Sequence, residues 1–345
     1  MAHRPTLSDL AQAAGVSLAT ASRAINGSAT RTVRPELRQR VLQAAEELGY
    51  TPDANAQGMA RRSTLSVGLI VHDVSDPYFS SISAAVTEAV DAAGMHVILV
   101  STQHDPDREA ALVDHLHRLR ARSIVVVGGR RGDAQQRRRF SDALERYRRA
   151  AGRAVVVGHE LPGYDSVVID NERGAADLAR ALFGRGYRRA AVLSGPLDHS
   201  IATARRDAFV AAFREAGGHV RAEDVHPGPF TWEGGAHAMA AALAGDPEVV
   251  FAVNDVMALG ALAAAREQGI DVPGDVALAG FDDITHLRDV VPALSTVHVP
   301  LGEVGAAAAE LALSPDAEAP RRRDIVTRVV LRDTTPERWW GTPAR

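Results

Sequence analysis

Residues 6–26 read TLSDLAQAAGVSLATASRAIN, and this stretch decides what the amino-terminal part of the chain becomes. Thr6 and Asp9 have capping-box spacing, a hydroxyl followed three residues later by an acid. Leu7, Leu10, Ala11 and Ala14 then make a short apolar stripe at helical spacing. Gly15 breaks that helix, Val16 is apolar, and Ser17 suits the N-cap of a second helix. Two short helices joined by a tight glycine-containing turn predict a helix-turn-helix. In the second helix Ala21, Ala24 and Ile25 can face the first. Leu18, Ala19, Ser22 and Arg23 are then left as i,i+4 neighbours on one exposed patch. That patch is the part able to enter a major groove, with the Arg23 fork suited to guanine and Leu18 and Ala19 to a thymine methyl. The same residues also describe an ordinary helical hairpin with Arg23 solvated, and spacing alone does not choose between the two.

Working outward, a third helix is predicted over Pro35–Leu48, with proline in the first turn and Gly49 as the stop. Val41, Leu42, Ala45 and Leu48 are expected to pack it on the first two helices. Residues 1–62 carry eight arginines against five acids, a net +3, although the whole chain of 345 residues is at −4. A basic head on an acidic body fits a nucleic-acid module attached to something that is not one. All 39 basic residues are arginine, which is read as compositional bias before function. There is no run of about 18 apolar residues, so no membrane span is expected. The N-terminus lacks the apolar segment of a signal peptide, which gives the expectation of a cytoplasmic protein. Zero cysteines exclude disulfides, thiol catalysis and cysteine zinc sites.

From Leu65 onward the pattern changes. The apolar runs LSVGLIV, MHVILV, SIVVVG and AVVVG read as buried parallel strands, each followed by a helical stretch. A second series, SVVID, RRAAVLSG, EVVFAV and DVALAGF, follows in the same alternation. Two βα series predict an α/β fold of two doubly wound lobes, with ligand chemistry at the carboxyl ends of the strands.

The stretch 6–26 resembles the amino-terminal signature of the lactose-repressor (LacI/GalR) family of bacterial transcription factors. The likeness continues through QRVLQAAEELGYTPDANAQGMARR and across the rest of the chain. The resemblance implies a helix-turn-helix head over 1–50, a hinge over 51–63, and a two-lobed, periplasmic-binding-protein-like core over 64–345 that binds ligand and dimerises. It implies chain crossings between the lobes near 295–300 and 325–331. Its DNA-binding residues, carried over, are Thr6, Ser17, Leu18, Ala19, Thr20, Ser22, Arg23, Asn26, Tyr50, Asn55 and Met59. Met59 stands where a leucine usually wedges into the minor groove at the operator centre. An apolar wedge there bends the duplex at the cost of unstacking. The connection GSATRTVRP is about two residues longer than the family's, with Arg34 where a capping serine is usual.

For the sensor, HDVSDPYF is similar to the family's P-x-x-x-NPFF, with Asp76 in place of asparagine, Tyr78 and Phe79 at the aromatic positions, and His72 as a further departure. Arg205 falls on the effector-binding arginine, Phe230 on a ring that stacks on ligand, with Trp232 the alternative ring. His159, Asn254 and Asp282 complete the implied effector set. Such groups suit a sugar, whose hydroxyls need paired donors and acceptors and whose C–H face needs an apolar plane. Plainer readings stand beside these: His159 as a structural histidine, Asp282 as a helix cap, and Arg205 as a partner of Asp207. The expected function is a DNA-binding transcriptional regulator, most simply a repressor, responsive to a small molecule. Its expected partners are pseudo-palindromic operator DNA, a carbohydrate effector and a second copy of the chain. No cofactor and no metal is expected, since no HExxH or comparable spacing accompanies the thirteen histidines. The rival readings are a cytosolic solute-binding protein and a nucleotide-dependent enzyme. VGGRRG lacks the dinucleotide spacing, and GPLDHS is not a nucleophile elbow.

Overall fold

Thr6 opens α1 (Leu7–Ala13): its hydroxyl accepts the Asp9 amide at 3.3 Å while the Asp9 carboxylate accepts the Thr6 amide at 2.8 Å. The computed structural model describes residues 5–26, 33–50, 64–315 and 317–338, and the chain divides into two units after Leu65. In the first unit, the Ser17 hydroxyl accepts the Thr20 amide at 3.2 Å and starts α2 (Leu18–Asn26). Helix α3 (Pro35–Leu48) ends at Gly49, in the left-handed conformation. Arg34 precedes it and makes no side-chain cap bond. The small core of this unit is Leu10, Ala11, Ala14, Ala21, Ala24, Val41, Ala44 and Ala45. Two expected members are absent from it, since Leu42 is 48% and Leu48 37% exposed. At about 100° per residue, position 42 is turned well away from Val41, and Ala44 fills the seam instead. Asn55 and Met59, with the rest of 51–63, lie outside the described residues.

The second unit begins with β1 (Ser66–Val71), whose six residues are all buried. It alternates with α4 (Pro77–Ala92), β2 (His96–Ser101), α5 (Pro106–Arg118), β3 (Ser123–Val127), α6 (Ala134–Arg149) and β4 (Arg153–Gly158). Asp76, Asp105 and Asp133 cap α4, α5 and α6, each carboxylate accepting an amide of the first turn. The sheet is parallel, in the order β11-β5-β4-β3-β1-β2, with β5 (Asp165–Ile169) and β11 (Arg322–Ile325) at one side. Leu69, Val125 and Val155 pack on one face of it, Ile70 and Val126 on the other. Burial on both faces is why β1, β3 and β4 read as unbroken apolar runs; MHVILV is a correction, since β2 is the edge strand, none of its residues is buried and Leu99 is 44% exposed.

SVVID is a correction to the two-series reading. It forms β5 and pairs with β4, Val157 opposite Val167, so it belongs to the first sheet. Only residues 159–164 join the two strands, and with no helix between them the alternation gives no sign of which sheet β5 joins.

The second lobe holds α7 (Asn171–Gly184), β6 (Ala190–Gly195), α8 (Ser200–Glu215), β7 (Val225–Pro227), α9 (Trp232–Leu243), β8 (Val249–Ala252), α10 (Asp255–Glu267) and β9 (Ala277–Ala279). Its parallel sheet runs β7-β6-β8-β9. β10 (Thr296–His298) pairs antiparallel with β12 (Arg328–Val330). Between these two strands the chain returns to the first lobe as α11 (Leu301–Leu313) and β11. The lobes are therefore interleaved in sequence, with crossings after β5, β10 and β11, the last two near the places the resemblance implied. In each sheet the strand order reverses around one strand, β1 or β6, which opens a crevice at the carboxyl ends. Among the described residues no helix is long and apolar enough to cross a membrane.

Candidate functional site

The head presents the face of α2 that its spacing predicts. Ala21 and Ala24 are buried, Leu18 is 51% exposed, Ala19 is exposed, and Ser22 and Arg23 are half-buried. Arg23 donates Nε to the Ala19 carbonyl at 2.8 Å, which lays its stem along the helix. The guanidinium has five N–H groups, so its Nη atoms keep donors for another partner. Thr20 shares a 2.8 Å hydroxyl contact with Ser17, and the Asn26 amide donates to Ser22 Oγ at 3.3 Å. Thr6 is committed to its cap, and half-buried Tyr50 packs on the small core.

In the second unit a narrow cavity of about 30 Å³ lies at the carboxyl ends of strands from both lobes. It is lined by Asp76, Tyr78 and Phe79 from the start of α4, and by Arg205, Phe230, Asn254 and Asp282 from the second lobe. Arg205 is the hub. Its Nε donates to Asn171 Oδ1, Nη1 to the Val253 carbonyl and Nη2 to Asp282 Oδ1, each at 2.8 Å. Its plane lies 3.8 Å over the Phe281 ring. Three of five N–H groups are thus committed and two remain for a ligand. Asp282 is neither a helix cap nor surplus; it is buried against Arg205 with φ +115°, a conformation non-glycine residues seldom adopt. Asp207 pairs with Arg206 instead, at 2.7 Å.

Asp76 caps α4 by accepting the Tyr78 amide at 2.8 Å. Burial raises its pKa to about 7, against which that bond works. Burial also raises Asp282, to about 6, with the Arg205 guanidinium opposing. Asn254 caps α10 through its Oδ1, which accepts the Met257 amide at 3.0 Å, and its NH2 group is left to donate. The Tyr78 hydroxyl is buried with no partner among the described residues. Trp232, the alternative ring, is 42% exposed and lines a different hollow.

Three histidines complete the wall. His72 Nε2 meets the Gly129 carbonyl at 2.9 Å, so it donates there, while Nδ1 accepts from Thr102 Oγ1 at 3.0 Å. Burial holds the His72 pKa down at about 4, so the ring is neutral at ordinary pH. His104 stacks on it at 5.8 Å. His199 caps α8 by accepting the Ala202 amide at 3.3 Å, and it meets Phe230 edge to face at 4.8 Å. A Cβ on Gly128 would come within 2.6 Å of His72, and one on Gly129 within 2.3 Å of His199. The glycine pair in VGGRRG thus makes room for two rings. His104 and His199 escaped the sequence reading; Gly129 was a signal for His199, and none pointed to His104. His159 is not in the lining; it sits beside Arg130, whose Nε donates to its Nε2 at 3.3 Å. The loop after β3 also touches the loop after β6 across the cleft. The Ser200 amide donates to the Arg130 carbonyl at 3.0 Å, and the Arg130 amide to Ser200 Oγ at 2.9 Å.

Residues 6–53 match the bacterial regulatory proteins of the lacI family, and residues 179–335 a periplasmic binding protein-like domain. The transcriptional regulator GalS of Salmonella typhimurium is 33% identical over 312 residues, 89% of this chain and 89% of the relative. GalR of Escherichia coli is 34% identical over 315 residues, 90% of this chain and 88% of that one. The chain belongs to the LacI family. Among solved structures, a complex of the transcriptional regulator CelR with cellobiose has 29% identity and a TM-score of 0.70, covering 96% of this chain and 100% of that one. The lac repressor dimer on operator with the anti-inducer ONPF, at 24% identity, shares the fold with a TM-score of 0.82 over 97% of this chain and 100% of its own. This LacI-family chain is a DNA-binding transcriptional regulator with a small-molecule effector domain.

Proposed function

We propose that the chain represses transcription as a homodimer, each head laying α2 in a major groove of a pseudo-palindromic operator, with a sugar in the Arg205 cleft changing that affinity. The observation that carries the DNA half is the α2 face, where Leu18, Ala19, Ser22 and Arg23 stand together on the side away from the head's core. A dimer with two-fold symmetry reads two equivalent half-sites, and the segment 51–63 serves as the hinge between head and core. In the cleft, the two remaining Arg205 donors, the Asn254 amide and the Asp76 carboxylate suit vicinal hydroxyls, while Phe79 and Phe230 supply apolar surface. The CelR relative binds a sugar, cellobiose, which favours the same ligand class here.

Selecting binding sites from random duplex DNA with the full chain tests this reading. A pseudo-palindrome is expected. Arg23→Ala should lose about 1–3 kcal/mol at one base pair per half-site, with relaxed preference there. A uniform loss across all sequences would reassign Arg23 to a phosphate, and recovery of no preferred sequence would sink the operator reading.

A further inference from the structure

Beside the Arg205 cavity lies a second hollow of about 600 Å³. Arg130 and Arg137 of the first lobe line it, facing Glu172 and the start of α8 in the second, and His199 borders both spaces. Arg130 is the unusual member. Its side chain is only 10% exposed and its guanidinium lies 3.8 Å over the Phe140 ring. Among the described residues its carboxylate partner is Glu109, at 3.4 Å. A charge-assisted bond normally closes to about 2.7–2.9 Å, as Arg205 does on Asp282 at 2.8 Å.

Among the described residues Arg130 Nη2 is buried without an acceptor, and so, outside the hollow's wall, are Arg131 Nε and His159 Nδ1. Because Arg130 donates to His159 Nε2, the ring proton sits on Nδ1, which makes that nitrogen a donor too. Three buried donors from the ends of β3 and β4 thus lack an oxygen. Leaving such a group unmatched costs about 1–3 kcal/mol, and more when it is charged. The carboxylates of the hollow's wall do not supply the match. Asp198 is engaged by Arg131 at 3.3 Å and by the Gly132 amide, and Asp207 by Arg206. Glu172 stands in the first turn of α7, where the helix N-terminus offsets its charge.

We infer that the effector carries an acidic group, a phosphate or a carboxylate, which reaches past His199 to Arg130, while its polyol ring enters the Arg205 cleft as the lobes part around it. This inference rests on the effector reading of that cavity and adds the ligand's charge. The donor set determines the chemistry. An anion with two or three oxygens can engage Arg130 Nη2 together with a neighbouring donor, and a neutral sugar leaves the buried guanidinium without a full counter-charge. Burial pushes the Glu109 carboxyl above its usual range, so the one existing partner is itself a weakened anion. His159 becomes part of the effector site by this route, through Arg130 and apart from the inner cavity.

The test is titration calorimetry on the full chain at fixed ionic strength, with inorganic phosphate, glucose, glucose 6-phosphate, glucuronate, galactose and galacturonate as probes. At least one acidic probe should bind about tenfold or more tightly than its neutral parent, the scale of one charged hydrogen bond. Arg130→Gln should erase that preference without weakening the neutral parent. Glu109→Gln, which removes the competing carboxylate and keeps the arginine in place, should tighten the acidic probe severalfold. The phosphate and carboxylate arms show which acid is meant. The inference is overturned if neutral parents bind as well as their acids, if the preference survives Arg130→Gln, if Glu109→Gln leaves it unchanged, or if no acidic probe binds. A neutral sugar that alters operator affinity and binds as tightly as its acid would end this inference while leaving the proposed function standing. Failure of operator selection would end the function and leave the acid preference to be judged on its own titration.

Discussion

Asp282 shows how much one side chain can carry. It lies three residues past β9, holds φ at +115° and gives its carboxylate to Arg205 at 2.8 Å, with both side chains about 5% exposed or less. Removing one partner of a buried ion pair strands the other charge, at a cost of about 3–5 kcal/mol. Asp282→Ala should therefore lower unfolding stability by that order. Asp282→Asn, which keeps an acceptor oxygen of the same shape, should lose clearly less. Urea unfolding of the two variants decides it, and equal losses would mean that Arg205 finds another acceptor. The consequence is practical: a loss of effector binding in Asp282→Ala must be read beside its stability, whereas Asn254 can be altered at smaller structural cost because its amide nitrogen is uncommitted.

At the scale of elements, the chain was legible wherever one local rule acted alone. The bounds of α3 follow from Pro35 and Gly49, and Thr6 with Asp9, and Ser17, start α1 and α2 as their spacing predicts. β5 was misassigned because partner choice is a tertiary matter that its own five residues do not contain. The candidate site divides in the same way. Asp76, Asn254 and Asp282 are legible as polar residues at strand ends, and Arg205 through its motif. His104 and His199 reach the cavity only because loops from different lobes converge. Close helix packing was equally invisible. A Cβ on Gly305 in α11 would lie 2.6 Å from both Ala85 Cβ and the Ile82 carbonyl of α4. Gly305→Ala should thus force the helices apart at about 1–3 kcal/mol. Gly302→Ala, on the same helix with nothing within 4 Å, should be neutral or stabilising by up to about 1 kcal/mol. Denaturant midpoints of the two variants compare these directly, and equal shifts would refute the close-packing account.

For the molecule as a whole, the interleaved lobes make the cleft part of the folded structure rather than a surface feature, so its buried acids and bases bear on global stability. Two opposed sets act in and around it. Burial lowers His72 and His159 to about 4, so their neutral forms are favoured in the fold and stability is lost as pH falls from the ordinary histidine value of about 6.5 towards 4. Burial raises Asp76 from 3.8 to about 7, so the folded protein holds a proton there that the unfolded chain releases. Its contribution is full below the unfolded value and is lost as pH rises through the folded one. Because the two sets act in opposite directions between about pH 4 and 6.5, the wild-type profile alone cannot separate them, and a matched variant can. Asp76→Asn keeps an acceptor for the Tyr78 amide and removes the titration. Urea unfolding of both proteins from pH 4 to 9 should show wild type falling relative to Asp76→Asn between about pH 4 and 7, with a constant difference above about pH 8. The histidine losses cancel in that comparison. Parallel curves across the range would mean that Asp76 is ionised in the fold at every pH, which would in turn require a donor to its carboxylate stronger than the Tyr78 amide.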